Sequence, residues 1–160
     1  MFFWKIKDLK NALIHRKLSE KQVFIYILIF VLLSIVAMEI IRYLHPDRVG
    51  FWDYVDSFLS ISIVLCGTVF SYRANGGASG VDFAARFFSI SLVVTIRHMF
   101  FLIPIALIFY AYTTYSYIKG MGINAGQVVM TGGVEVVLLG IWCINIYQSI
   151  VKNIRDVSRA

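Results

Sequence analysis

Residues 23–41 of this chain are apolar but for two side chains, Ser34 and Glu39. No other feature restricts the fold as severely. A helix crossing hydrocarbon needs about 20 mainly apolar residues, because a core of roughly 30 Å is divided by a rise of 1.5 Å per residue. Three more stretches approach that length. One covers 57–72, after an amphipathic turn of Trp52, Asp53, Tyr54, Val55 and Asp56. Another covers about 87–112 and contains Arg97, His98 and Pro104, and the last covers about 127–150 with Glu135 in its first half. Composition agrees: the chain is 59% hydrophobic and 15% charged, whereas soluble domains carry roughly 25% charged residues. An aromatic content of 16% excludes a disordered chain. Two cysteines and two prolines exclude a disulfide framework or a proline-rich linker.

The expected fold is therefore an all-α membrane protein. Four transmembrane helices form one domain over residues 1–160, with an N-terminal interfacial amphipathic helix at 1–21. Loops of about a dozen residues leave no room for a separate soluble domain. The first span is too long for a secretory signal and is followed by Glu39, Ile40, Ile41, Arg42 and Tyr43 rather than a small-residue cleavage site. It is expected to stay as a membrane helix.

Cytoplasmic flanks of membrane helices are enriched in Lys and Arg. Lys5, Lys7, Lys10, Arg16, Lys17 and Lys21 precede the first span, Arg73 and Arg86 flank the second loop, and Lys152, Arg155 and Arg159 follow the last span. The other two loops hold only Arg42, Arg48 and Lys119. The bias predicts both termini in the cytoplasm and a multi-pass protein of the inner (plasma) membrane. In the N-terminal segment Phe2, Ile6, Leu9 and Leu13 fit one helical face, with lysines around the other. That pattern predicts a helix lying on anionic lipid headgroups. Nucleic acid is not the expected partner, since topology already accounts for the basic excess.

The most distinctive segment joins the second and third spans. Asn75, Gly76 and Gly77 require a turn, and Ser79 with Asp82 three residues later suits a capping pair for the third helix. Gly80, with backbone N–H groups free at a helix start between Arg73 and Arg86, provides the elements of an anion or partner contact. No phosphate-loop or dinucleotide pattern accompanies them, and a tight hairpin obeying the charge rule explains the same residues. Asp82, Arg86, Ser89, Val93 and Arg97 then mark one helical face, with Asp82 and Arg86 in the favourable i, i+4 order.

Arg97 falls about ten residues inside the third span, roughly 15 Å deep, where a charge normally faces protein or water. Glu135 lies at a similar depth in the fourth span, so Arg97 and Glu135 are the expected intramembrane pair, with His98 beside them. A register in which 98–117 makes the crossing places Arg97 at the interface instead. A pair that fixes helix register is favoured over a proton relay or substrate site. One histidine makes a poor metal site. Cys66 and Cys143 are isolated thiols, and no paired carboxylates or nucleophile motif occur. No metal, cofactor or enzymatic activity is expected.

Gly122, Gly126, Gly133 and Gly140 supply small residues that let membrane helices approach closely. They make the fourth span the first choice for an oligomer interface. The expected function is a non-catalytic, oligomeric membrane subunit acting through protein contacts, including a cytoplasmic partner. Small bacterial four-span proteins of this kind include toxin-immunity and phage-defence components, an analogy of architecture alone. The alternative is a small oligomeric channel or transporter using Arg97, His98 and Glu135.

Overall fold

The computed structural model describes residues 2, 4–44, 50–118 and 132–160; the side chains of 38–44, of Glu135 and of part of 105–118 lie outside that description. Among the described residues there are five α-helices, one short 3-10 turn and no strand. The helices are α1 (Ile6–Ile14), α2 (Glu20–Leu44), α3 (Phe51–Ala74), α4 (Phe83–Ile118) and α5 (Gly133–Ser158). Helices α2 to α5 each contain a stretch long and apolar enough to cross a membrane. The described residues thus form an all-helical fold in which four helices could span a membrane by length and composition.

Local chemistry sets the helix ends. Ser19 and Gln22 cap α2 reciprocally: the Gln22 N–H donates to Ser19 Oγ (3.3 Å) and the Ser19 N–H to Gln22 Oε1 (3.1 Å). The Gly50 N–H donates to Asp53 Oδ2 at 2.7 Å, so residues 52–56 belong to the first turns of α3 and not to a separate turn. Helix α1 stops at His15 because Arg16 takes a left-handed φ of 49°, and the Lys17 N–H closes back on the Ala12 carbonyl at 2.8 Å. A single helix over 1–21 is therefore replaced by a nine-residue helix and a capped corner. The loop from α3 to α4 is shorter than the expected dozen residues, since α4 begins at Phe83 and not near Phe87.

The helices do not pack in chain order. Helix α2 lies against α4, α4 against α5, and α5 against α3, while α1 covers α4 and α5 at one end. Helices α3 and α5 run parallel: Trp52 sits on Gly133, Tyr147 on Gly67, and the Ser158 hydroxyl donates to the Ala74 carbonyl at 2.8 Å. Helix α5 runs antiparallel to α4, where His98 meets Trp142 with ring centroids 5.7 Å apart.

The core is concentrated at the end that holds both termini. Leu9, Leu13, Tyr26, Ile90, Leu92, Val93, Val94, Ile150, Ile154 and Val157 form its buried cluster. Six consecutive residues of α4, Ser89 to Val94, are buried, so every face of the helix is covered there and α4 is the central element. The other half opens out. Residues 31–37 of α2 are all exposed, as are Phe100, Phe101, Ile103, Leu107 and Ile108 of α4.

One expectation needs correction. The apolar face of α1 was matched to lipid, but Leu9 (0% exposed) and Leu13 (6%) are in the protein core. The same spacing of Phe2, Ile6, Leu9 and Leu13 serves packing against α4 and α5. The Phe2 N–H also donates to the Tyr26 hydroxyl at 2.7 Å, and Lys10 Nζ bonds Asp156 Oδ2 at 2.8 Å.

Candidate functional site

Asn75 organises the loop between α3 and α4. It is 3% exposed, its Nδ2 donates to the Val81 carbonyl (3.2 Å), and its Oδ1 accepts from Arg86 Nη1 (2.9 Å). Gly76 and Gly77 adopt φ of 102° and 59°, the left-handed region that the Asn-Gly-Gly pattern leads one to expect. Gly80 presses on the Asn75 backbone so closely that a side chain there has no room. Asp82, the residue before α4, also has a positive φ of 53°.

Two expected pairings differ here. Ser79 Oγ donates to the Gly76 carbonyl at 2.8 Å, closing the 3-10 turn Gly77–Ser79, and does not cap α4. Asp82 does not pair with Arg86: its Oδ2 lies 3.6 Å from Arg16 Nε, and Arg86 turns inward to Asn75. The strained backbone at Asp82 points its carboxylate toward the α1 corner. Arg86 Nε is left buried without a hydrogen-bond partner. Ser89 and Val93, from the polar stripe of α4, are both 0% exposed, within the run of six residues buried on every side. The hydroxyls of Ser89 and Ser91 find no partner among the described residues, unlike Ser34, Ser62 and Ser71, which each donate to a carbonyl one turn back.

Arg97 and His98 sit where α4 passes the middle of α5. Trp142, which packs on His98, is nine residues from the start of α5 and ten before Lys152, or roughly 13 and 15 Å along the helix. His98 Nδ1 lies 2.8 Å from the Val94 carbonyl, a bond within its own helix. Helix α4 has 36 residues and spans about 54 Å, so it contains both registers considered for Arg97. Glu135 is in the first turn of α5, seven residues before Trp142, about 10 Å by the helical rise. Its side chain lies outside the described residues, as do Gly122 and Gly126.

Of the remaining small residues, Gly133 lies under the Trp52 ring, where a Cβ would stand 2.8 Å from two ring atoms, whereas Gly140 faces open space. Among the described helical glycines the closest approach is at Gly67, whose missing side chain admits the Tyr147 ring. Sequence reasoning passed over Gly67 because a lone glycine in an apolar run carries no spacing signal.

A cleft of about 1030 Å³ opens between the second halves of α3 and α5. Ile63, Phe70, Ile144 and Val151 line its apolar part, while Arg73, Lys152, Arg155 and Arg159 line its end. The three- and four-residue steps from Lys152 to Arg155 to Arg159 place these cations on one helical face. That signal was legible, but sequence reasoning counted the three only as topological charges. A second cavity of about 390 Å³ lies between α1, the start of α2 and the start of α4, beside Arg16, Asp82 and Arg86. No protein-family model, curated protein or solved structure matches the chain.

Proposed function

We propose that this protein is a multi-pass subunit of the plasma membrane that works without catalysis, through contacts between its helices and other membrane-embedded copies. Both termini and the compact core lie on the cytoplasmic side. The observation that carries this reading is the uneven packing of α2 and α4. Each is held at the basic end, yet beyond Phe30 and His98 every described side chain except the half-buried Leu102 is exposed. Lipid supplies no hydrophobic drive between helices, so such segments gain stability from close contacts with further helices. Gly140, open on the outer surface of α5 beside Leu138 and Ile141, provides a small-residue surface for that contact. A setting in bacterial defence or toxin immunity rests on an analogy of architecture alone, and the genes flanking this one test it directly.

The channel reading draws on Arg97 and His98 but receives less support. The His98 ring is engaged by Trp142 and by its own helix, which suits a packing role. Purified full-length protein in liposomes separates the readings. A defined oligomer in cross-linking or light scattering, with no ion flux above empty vesicles, is the expected result. Selective flux abolished by Arg97→Gln overturns it. Reporters active on only one side of the membrane, fused at either terminus, test the orientation.

A further inference from the structure

The cleft between α3 and α5 has two chemically different halves, and the difference points to an occupant. At its basic end Arg73, from the last turn of α3, faces Lys152 and Arg155 of α5 and Arg159 directly after it. Among the described residues no carboxylate lines the cleft. The nearest in sequence, Asp156, is bonded to Lys10 of α1. None of the four cations has an ion-pair partner among the described residues. Four like charges therefore converge on one opening with nothing of opposite sign between them.

The other half is apolar. Ile63 and Ile144 form its sides, and the contact of Gly67 with the Tyr147 ring forms the seam where the two helices meet. Cys66, Phe70 and Ile144 are exposed along its edge, so the cleft opens sideways toward the lipid. From Ser62 to Ala74 on α3, and from Ile144 to Ser158 on α5, the lining extends about 20 Å by the helical rise. One leaflet, half of a bilayer of about 40–45 Å with its headgroups, has the same depth.

We propose that this cleft binds an anionic phospholipid of the surrounding bilayer. The phosphate lies among Arg73, Lys152, Arg155 and Arg159, and one acyl chain runs along the apolar half toward Ile63. Basic pockets between membrane helices recognise anionic headgroups in this way. Cations near helix C-termini also favour the helix dipole. That effect explains one charge at each helix end, but not the convergence of four on a cleft floored by apolar side chains. The proposal does not depend on whether the protein acts as a subunit or a channel.

The test uses the full chain in neutral detergent, with thermal unfolding and native mass spectrometry as readouts. Phosphatidylglycerol is expected to raise the unfolding midpoint in a concentration-dependent manner and to remain bound in the gas phase. Phosphatidylcholine at the same mole fraction does neither. Inorganic phosphate and glycerol 3-phosphate give less than half the shift. The variant R73Q/R155Q/R159Q loses at least half of the shift, while K5Q/K7Q/K17Q, with the same charge removed outside the cleft, keeps it. Cys66→Trp, which retains every cation but fills the apolar half, lowers lipid retention at least threefold. A full shift with inorganic phosphate, equal responses to the two lipids, an undiminished shift in the cleft variant, or unchanged retention in Cys66→Trp each overturns the proposal.

Discussion

Asn75 does more in this protein than the glycines beside it. Its amide holds the Val81 carbonyl and the Arg86 guanidinium together in a nearly closed site. Asn75→Ala removes both bonds and leaves Arg86, whose Nε already lacks a partner, still less satisfied. Leaving buried polar groups unpaired costs about 1–3 kcal/mol, and this loss is expected in denaturant unfolding in detergent. Asn75→Asp, which keeps an acceptor for Arg86, is expected to recover part of it. A test of the same kind applies to Arg97 and Glu135. If they pair within or between protomers, Glu135→Lys lowers the yield of folded oligomer, and the exchange Arg97→Glu with Glu135→Lys restores it. Recovery of wild-type oligomer from Glu135→Lys alone removes the pair. The turn at 75–77 was legible because Asn-Gly-Gly encodes its own backbone conformation. The partner of Arg86 was not legible, since Asp82 at i+4 spacing looked the better candidate. The positive φ at Asp82, which directs its carboxylate to Arg16, is decided by the corner beyond the loop.

At the scale of elements, α1 is the clearest case of a pattern read correctly and a partner read wrongly. A helix with one apolar and one basic face can lie on lipid or on protein, and its own sequence is the same in both cases. Helices α4 and α5 cover Leu9 and Leu13 here, which makes α1 part of the core. Leu9→Ala is accordingly expected to destabilise the protein by about 2–5 kcal/mol, as large-to-small core substitutions do. Lys5→Gln and Lys7→Gln are expected to stay within about 0.5 kcal/mol. Equal small effects from all three, measured by thermal unfolding, indicate a helix bound to lipid alone. The α3–α5 pair depends on Gly67. Gly67→Val drives two methyl groups into the Tyr147 ring and is expected to cost about 1–3 kcal/mol as overpacking. Tyr147→Ala in the same chain relieves the clash, so the double variant falls short of the sum of the two single losses.

For the whole molecule, the arrangement is a row of helices fastened at one end. Helix α4 stands between α2 and α5, and α1 closes the end where the termini meet. Gly133 and Gly140 report on its inside and outside. Gly133→Leu meets the Trp52 ring within the protomer and is expected to lower stability, whereas Gly140→Leu enters open space. Gly140→Leu should leave protomer unfolding within about 0.5 kcal/mol of wild type and weaken self-association in cross-linking. If it changes neither, this surface of α5 faces lipid only.

The sequence by itself determined that the chain is helical and that four of its segments match a bilayer in length and polarity. Hydrocarbon leaves backbone groups partners only within a helix or a closed barrel, and apolar runs near 20 residues select the helix. Capping chemistry such as Ser19 with Gln22 is equally local. Only the tertiary structure decided which helices touch, that α1 belongs to the core, and that Arg73 faces Lys152, Arg155 and Arg159 across a cleft. In lipid, helices select their neighbours by shape and by a few polar contacts. The fit of Tyr147 on Gly67 and of Trp52 on Gly133 joins residues about eighty apart, and spacing along the chain does not record it.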